Sequence, residues 1–354
     1  MEKGFSILPM DKEGLVDVAV IGCGYWGPNL IRNLVENKTC RRIVCCDIDD
    51  EQLVELSKRY PNLLYTTDFD EILADDNIDA VLIATPVATH FQLAKRALLA
   101  GKSTFVEKPF TASVEEGVQL KDLADSKELT LMVGHTFEYS PPVLKIKDVI
   151  STGELGTIYY VSSARVNLGL HQRDVSVIWD LAPHDISMLL FWLEETPARV
   201  FAMGRAFVQQ GIPDVGFISL EFPSGVIAHV QVSWLSPSKL RRTTIVGSSK
   251  MLMYDDTENI EKVKIFDKGV DFKEPQSFGE FQLSYRSGDI VSPRLDTYEP
   301  LKAEVDHFLN CVLNGESPRT DARSGLRVVT VLEAVERSMR SGTAVECVKH
   351  DYVV

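Results

Sequence analysis

The fold of this chain is decided by the ten residues Val18-Ala19-Val20-Ile21-Gly22-Cys23-Gly24-Tyr25-Trp26-Gly27. A short apolar run breaks into G-x-G-x-x-G and continues as a helix-compatible segment, residues 28–34. A strand, a glycine turn and a helix in this order are typical of a dinucleotide site. The first glycine permits the turn, the second lets the backbone approach a pyrophosphate, and the third lets helix and strand pack closely. The N–H groups at the helix start then bind phosphate.

A second apolar strand, residues 41–47, ends at Asp47, about twenty residues beyond the glycine loop, where a ribose-binding carboxylate is expected. This carboxylate would accept hydrogen bonds from both ribose hydroxyls of NAD and would repel the 2′-phosphate of NADP. The next residues supply no arginine to hold that phosphate. The sequence therefore predicts NAD as the cofactor. The alternative is that Asp47 is an acid at a strand end in a solvated loop.

Composition excludes several classes of protein. The 354 residues carry a formal net charge of −14, which argues against nucleic acid or an anionic membrane as the main partner. No apolar stretch is long enough to span a bilayer, and the N-terminus has no signal-peptide pattern. The six cysteines form no C-x-x-C pair and have no histidines at zinc spacing. We expect reduced packing cysteines in a cytoplasmic protein without a metal site.

The chain length suggests two domains. Residues 15–134 alternate short apolar strands with helices, which predicts a parallel α/β sheet, an NAD-binding Rossmann domain. Residues 135–354 predict an α+β domain for substrate binding and oligomerisation, built on an open, mostly antiparallel sheet. The predicted strands are 16–21, 42–47, 63–66, 80–84, 103–106, 130–133, 157–166, 199–208, 215–222, 225–234, 242–247 and 250–254. The predicted helices are 28–36, 50–59, 91–100 and 114–126, then 301–314 and 322–340, which are compatible with packing back toward the first domain.

Two motifs follow later strands of the first half. Thr85-Pro86 with His90 comes after the fourth strand, at the edge where ligands bind to open parallel sheets; its alternative is a Pro turn with Thr89 capping the next helix. Glu107-Lys108-Pro109 ends the fifth strand. The Lys108 ammonium would orient a substrate hydroxyl and stabilise developing alkoxide charge, whereas a lysine before proline is also a common surface feature.

The segment Trp179-Asp180-Leu181-Ala182-Pro183-His184-Asp185 places Asp180 and His184 four residues apart. On a helix these two side chains share one face. A carboxylate then holds the imidazole in one tautomer while the other ring nitrogen takes a proton from a substrate alcohol. The alternative is that Asp180 is a helix N-cap and His184 packs in the first turn, a reading that Pro183 weakens because proline lacks an N–H group for the cap to serve.

Taken together, these motifs resemble the glucose-fructose oxidoreductase / inositol dehydrogenase (Gfo/Idh/MocA) family from Val16 to about Val345. The resemblance implies a Rossmann domain followed by a substrate domain whose open sheet forms the oligomer interface. It also implies that Lys108 and His184 face the hydride-transfer centre with Asp180 nearby, and that the bond before Pro109 is often cis. The candidate cofactor-binding residues are Gly22, Gly24, Tyr25, Trp26, Gly27, Asp47, Thr85, Pro86, His90, Glu107 and Lys108.

One departure from the family pattern concerns the substrate. Many relatives have an asparagine and arginines after the sixth strand, where this chain reads Gly134-His135-Thr136-Phe137-Glu138-Tyr139-Ser140-Pro141. With Arg165-Val166-Asn167, this version is similar to the branch that oxidises the 3-hydroxyl of UDP-N-acetylglucosamine or its uronic acid. The candidate substrate residues are Arg165, Asn167 and His184. The basic run Lys239-Leu240-Arg241-Arg242 would help to bind a diphosphate, or is a charged strand start.

The sequence thus predicts an NAD-dependent oxidoreductase acting on a sugar secondary alcohol, with Lys108, Asp180 and His184 as catalytic residues. Either Lys108 or His184 is the base. The alternatives are a 3-keto-sugar reductase, an inositol or cyclitol dehydrogenase, and a non-catalytic NAD-binding sensor or partner subunit. We expect a homodimer or homotetramer that forms through the C-terminal sheet.

Overall fold

The computed structural model describes residues 14–172, 175–272 and 283–347. The chain divides into two compact units. The first contains the residues up to Phe110 together with Glu116–Gly134 and Leu301–Ala322. The second contains Thr111–Glu115, His135–Pro300 and the residues from Arg323 onward.

The first unit is built on a parallel sheet of six strands, as predicted. The strands lie in the order β3-β2-β1-β4-β5-β6. Every residue of the two central strands, β1 and β4, is buried, as expected for a parallel sheet covered on both faces. The bounds, which agree with the predicted strands to within one or two residues, are β1 Val16–Ile21, β2 Cys40–Cys46, β3 Leu64–Thr66, β4 Ala80–Ile83, β5 Ser103–Glu107 and β6 Leu131–Gly134.

Helices connect these strands, which makes the unit a Rossmann fold. The helices are α1 Gly27–Glu36, α2 Asp50–Arg59, α3 Phe69–Ala74, α4 Val87–Leu99 and α5 Val114–Ser126. The sequence did not predict the short helix α3. Asp68 caps this helix, because its side chain accepts a hydrogen bond from the Asp70 N–H group. Helix α4 begins four residues before the predicted start, at Val87, so Thr89 lies inside the helix and Pro86 is the N-cap.

The second unit contains a mixed sheet that is mostly antiparallel, as predicted. Its strand order is β14-β13-β12-β11-β7-β10-β9-β8-β15, and β7 and β10 form its parallel pair. Helix α7 packs against β7, β9 and β10. The strands are β7 Ile158–Val166, β8 Arg199–Arg205, β9 Val215–Glu221, β10 Ile227–Ser233, β11 Leu240–Gly247, β12 Met251–Asp255, β13 Val263–Phe272, β14 Leu283–Val291 and β15 Val345–Glu346.

The remaining helices follow the two-unit division. A short 3-10 turn, Thr136–Tyr139, leads into α6 Pro141–Ser151, and α7 Val177–Leu193 follows β7. Helix α8, Pro300–Asn314, packs in the first unit: the Phe308 ring lies 5.6 Å from the Phe105 ring. Helix α9, Ala322–Ser341, lies in the second unit from Arg323 onward.

All six cysteines are free thiols. Burial raises the pKa of Cys40 and of Cys46 to about 12, so both stay protonated near neutral pH and are poor nucleophiles. Five of the six cysteines are buried and Cys40 is half-buried; their role as packing residues stays a prediction. Among the described residues, no helix is both long and apolar enough to cross a bilayer.

Candidate active site

Two of the three glycines of the first loop, Gly22 and Gly27, are required by close contacts within the protein, and the third faces open space. Gly22 has a φ of +91°, and a Cβ atom there would lie 2.7 Å from the Ala84 carbonyl oxygen. A Cβ atom on Gly27 would overlap the carbonyl oxygen of Gly22. By contrast, a Cβ atom on Gly24 would meet nothing within 4 Å. The loop therefore leaves open space at the position where the motif brings a pyrophosphate.

Helix α1 begins at this loop with features that suit an anion. Trp26 is its N-cap residue and makes no side-chain capping hydrogen bond, and no acidic residue occupies the first turn. Pro28 has no N–H group and the Asn29 N–H group donates to the Trp26 carbonyl oxygen, so it is mainly the positive dipole end of the helix that favours phosphate beside these residues. Tyr25 is 90% exposed beside them. These residues fit an NAD pyrophosphate.

Asp47 follows β2 and turns its carboxylate toward the glycine loop. Its Oδ2 accepts a hydrogen bond from the Cys23 N–H group at 2.6 Å, and its Oδ1 accepts one from the Asp49 N–H group at 2.9 Å. The side chain is therefore fixed beside the loop, half-buried. Its contact with the ribose of a bound dinucleotide stays a prediction.

His90 joins two loops at the carboxyl edge of the first sheet. The buried ring places Nε2 2.8 Å from the Thr85 carbonyl oxygen and Nδ1 2.9 Å from the Pro109 carbonyl oxygen. Burial lowers its pKa. Both ring nitrogens are thus directed at backbone. His90 holds the Thr85-Pro86 turn to the loop after Lys108, and its direct contact with the cofactor stays a prediction.

Glu107 lies behind Lys108 and ties it to the glycine loop. Its carboxylate accepts hydrogen bonds from the Trp26 indole and, at 3.2 Å, from the Lys108 N–H group. A Cβ atom on Gly134 would lie 2.9 Å from this carboxylate. The glycine at the end of β6 therefore leaves room for the carboxylate. Burial raises the pKa of Glu107 to about 7, against the lowering effects of the Lys108 charge and the Trp26 hydrogen bond. The Lys108–Pro109 bond is cis, as the resemblance implied.

In the second unit, Asp180 and His184 lie one turn apart on α7 and are both half-buried. The N-cap of this helix is Ser176, whose side chain accepts a hydrogen bond from the Trp179 N–H group. The alternative that made Asp180 the N-cap is therefore wrong. Pro183 lies inside the helix, between Asp180 and His184.

Aromatic side chains position the two members of this pair. The Trp234 indole donates a hydrogen bond to the Asp180 carboxylate at 3.2 Å. The Phe137 ring packs edge-on against the His184 ring, with the ring centres 5.0 Å apart. These contacts restrict the rotation of the Asp180 and His184 side chains. An acid–base pair needs such a fixed orientation.

Arg165 and Asn167 differ in their surroundings. Arg165 is buried, forms an ion pair with Asp185 at 2.6 Å and stacks over the Phe137 ring at 4.5 Å. It therefore supports Phe137, which contacts His184. Asn167 is half-buried at the end of β7, and its main chain pairs with Ser233 and Ser236. Their roles as substrate ligands remain predictions, and only Asn167 has an accessible side chain.

The arginines of the basic run are engaged within the second sheet. Arg241 pairs with Asp256 at 3.3 Å, and Arg242 pairs with Asp255 at 2.8 Å. Each arginine is thus already matched by a carboxylate. This favours the interpretation of the run as a charged strand start.

Comparison with known proteins places the chain in a family. The model of an oxidoreductase family with an NAD-binding Rossmann fold, Gfo/Idh/MocA, matches residues 16–135. The model of the Gfo/Idh/MocA C-terminal domain matches residues 143–253. This chain belongs to the Gfo/Idh/MocA oxidoreductase family. It is an oxidoreductase whose first unit is an NAD-binding domain.

The similarity to named relatives extends over nearly the whole length of this chain. It is 26% identical over 346 residues to scyllo-inositol 2-dehydrogenase (NAD(+)) of Bacillus subtilis (strain 168), a match that covers 94% of this chain and 97% of that protein. It is 25% identical to UDP-N-acetylglucosamine 3-dehydrogenase GnnA from Acidithiobacillus ferrooxidans, with a TM-score of 0.76 and coverage of 92% and 97%. GenD2 from gentamicin A biosynthesis, solved with NAD, shares the fold at a TM-score of 0.79 and 24% identity, with coverage of 97% and 99%.

The sequence reasoning missed His171 of this Gfo/Idh/MocA protein. Its ring packs against the Trp234 ring, with the centres 5.3 Å apart. The two residues are far apart in the chain and meet only because β7 and β10 run parallel. The available signal was a histidine shortly after a predicted strand end, which alone predicts nothing.

Proposed function

We propose that this protein is an NAD-dependent dehydrogenase of a sugar secondary alcohol, with nucleotide-linked sugars as the favoured substrates. The observation that carries the proposal is the Asp180–His184 pair on α7, whose carboxylate is fixed by the Trp234 indole and whose ring is packed by Phe137. A positioned carboxylate and imidazole are suited to removing a proton from an alcohol.

His184 is assigned as the general base. Asp180 favours the ring tautomer and orientation in which the other ring nitrogen accepts the proton of the substrate hydroxyl. As a hydride leaves the carbon that carries this hydroxyl, the hydroxyl oxygen becomes a carbonyl oxygen. NAD, when bound, would supply the hydride acceptor.

Lys108 is assigned, from the family resemblance, to the oxygen that loses its proton. Its ammonium would stabilise negative charge as that charge develops. Glu107 accepts a hydrogen bond from the Lys108 N–H group and so helps to fix the backbone from which the side chain extends. The reverse assignment, with Lys108 as the base and His184 as the orienting group, uses the same residues.

NAD is favoured over NADP because the carboxylate of Asp47 lies beside the glycine loop. A 2′-phosphate in this position would face a like charge. The same reaction run in reverse would make the protein a reductase of a 3-keto sugar.

The nucleotide-linked substrate rests on similarity to the UDP-N-acetylglucosamine 3-dehydrogenase. A second candidate is a free cyclitol, which the whole-length similarity to the scyllo-inositol dehydrogenase supports. The ion pairs of Arg241 and Arg242 weaken one argument for a diphosphate. The substrate class therefore needs a direct experiment.

That experiment follows NADH absorbance with purified protein, NAD and a panel of UDP-sugars, dTDP-sugars and inositols. We expect NADH formation with one nucleotide sugar. NADH formation with an inositol alone would replace the first candidate by the second. The absence of NADH with every alcohol, together with no NADH oxidation by a keto sugar, would contradict catalysis and favour the non-catalytic sensor.

We propose that the protein forms a homodimer or homotetramer through the sheet of the second unit. One face of this sheet buries alternate residues such as Ile218 and Val230, whereas the other exposes Met203, Phe217 and Ile227 at 54%, 37% and 57%. Met203 and Phe217 are cross-strand partners, and exposed apolar side chains on one face of a sheet indicate an interaction surface. Sedimentation of the full chain, with 39.5 kDa per subunit, tests this, and a monomer would contradict it.

The free thiols support a reducing compartment, and we place the protein in the cytoplasm. Fractionation of cells that produce the protein would show it with cytoplasmic markers. Recovery in an oxidising compartment would contradict this placement.

A further inference from the structure

The ends of β7 and β10 form one polar corner of the second unit. The Asn167 N–H group donates to the Ser233 carbonyl at 3.1 Å, and the Gly169 N–H group donates to the Trp234 carbonyl at 3.0 Å. A Cβ atom on Gly169 would lie 2.8 Å from the Trp234 ring. The segment after β7 is therefore held tightly against the segment after β10.

His171 follows in this segment and lies close to the proposed acid–base pair. Its ring packs on the Trp234 ring at 5.3 Å with an interplanar angle of 56°. The Trp234 indole N–H group donates to Asp180. One aromatic ring thus separates His171 from the carboxylate that is assigned to orient His184.

The ring nitrogen Nε2 of His171 is buried and has no hydrogen-bond partner among the residues that the structure describes. A buried polar atom without a partner is unfavourable, so such atoms are scarce in folded proteins and each needs an explanation. A ligand that supplies the missing hydrogen bond is one explanation. Trp234 contacts both His171 and Asp180. The ligand expected nearest to His171 is therefore the substrate of the proposed acid–base pair.

We propose that His171 is a substrate-binding residue whose Nε2 forms a hydrogen bond with a polar substituent of the sugar next to the carbon that is oxidised. This inference rests on the proposed dehydrogenase function. His171 would then distinguish sugars by the substituent adjacent to the reacting hydroxyl. A site built to hydrogen-bond a hydroxyl rejects an analogue that lacks it, because the site's own polar group is left unpaired.

The first test compares His171→Phe with the parent protein in steady-state kinetics. Phenylalanine keeps a ring on Trp234 and removes the ring nitrogens. With UDP-N-acetylglucosamine or the most active sugar of the panel, we expect KM to rise about tenfold and kcat to change less than about threefold. His171→Asn, which retains a hydrogen-bonding group, should recover part of the loss.

Trp234→Phe is the matched control. It keeps the ring that packs on His171 and removes the donor to Asp180. We expect it to lower kcat and to leave KM nearly unchanged. If His171→Phe behaves like Trp234→Phe, then His171 acts only by supporting Trp234, and the proposal is wrong.

The sharpest test pairs the variant with a changed substrate. The 4-deoxy analogue of UDP-N-acetylglucosamine lacks a hydroxyl next to C3. If His171 binds this hydroxyl, the analogue should cost the parent about tenfold in kcat/KM and cost His171→Phe little. If His171 binds the 2-acetamido group instead, the 2-deoxy analogue should cost the parent about tenfold in kcat/KM and cost His171→Phe little. Equal losses in parent and variant for both analogues overturn the proposal.

Failure of the proposed function is separable from failure of this inference. If the parent forms no NADH with any sugar, the dehydrogenase assignment fails. Calorimetric titration of UDP-N-acetylglucosamine into the NADH-loaded parent and His171→Phe proteins then decides the role of His171. Weaker binding by the variant supports it, whereas equal binding, or none in either protein, contradicts it.

Discussion

At the scale of single residues, Glu107 links protonation to stability. Its pKa rises from an ordinary 4.5 to about 7 because the carboxyl group is buried. Between these values the folded protein holds a proton that the unfolded chain releases, so stability falls as pH rises from about 4.5 to about 7. The full effect amounts to at most about 3 kcal/mol.

We therefore expect Glu107→Gln to flatten the pH dependence of stability. Urea unfolding at several values between pH 5 and pH 8 should show a smaller decline for this variant than for the parent protein. Glu115→Gln, at an exposed position of α5, is the control and should keep the parent slope. A Glu107→Gln slope equal to that of the parent would contradict the assignment.

Asp47 is the residue that decides between the two nicotinamide dinucleotides. Asp47→Ser removes the charge that opposes a 2′-phosphate, so the preference for NAD over NADP should fall by about tenfold or more in kcat/KM. NAD should also bind more weakly, since the carboxylate that holds the Cys23 N–H group is lost. Asp49→Asn, which keeps the cap of α2, should change neither. An unaltered preference in Asp47→Ser would place the ribose elsewhere.

At the scale of elements, the turn from β1 to α1 separates packing from binding. Gly27→Ala puts a Cβ atom onto the Gly22 carbonyl, and we expect a loss of about 1–3 kcal/mol in unfolding free energy. Gly24→Ala meets open space, so stability should change little while NAD affinity falls. Thermal unfolding and NADH fluorescence titration measure the two effects. Full NAD affinity in Gly24→Ala would show that the pyrophosphate does not approach that backbone.

The sequence predicted the elements whose pattern is local. Strands such as β1 are continuous apolar runs, and glycines mark the turn that follows. Strands β13 and β14 were missed because charged and glycine residues, for example Asp267, Lys268 and Gly269, interrupt their alternation. Helix α6 was missed because Pro141 and Pro142 look like a break, although proline is well suited to the first turn of a helix.

Non-local features of the site could not be read from the sequence. The buried pairing of Arg165 with Asp185 joins β7 to α7, and neither residue's neighbours in the chain reveal it. The parallel pairing of β7 with β10, which brings His171 to Trp234, is likewise a property of sheet order. The spacing of Asp180 and His184, by contrast, sufficed to place both on one helix.

At the scale of the whole molecule, the family assignment rests on both halves of the chain, because separate models match residues 16–135 and 143–253. The glycine loop and Lys108 lie in the first unit, whereas Asp180 and His184 lie in the second. Catalysis by this protein should therefore be separable from NAD binding, since changes in the second unit leave the glycine loop intact.

The measurement that tests this account most directly is the steady-state turnover of His184→Ala, with NADH binding measured on the same preparation. We expect turnover to fall by roughly a hundredfold or more, the contribution of a positioned acid–base group, while NADH affinity and thermal stability stay close to those of the parent. Lys108→Ala should show a loss of similar size. Near-normal turnover in both variants would contradict the assigned site and with it the proposed mechanism.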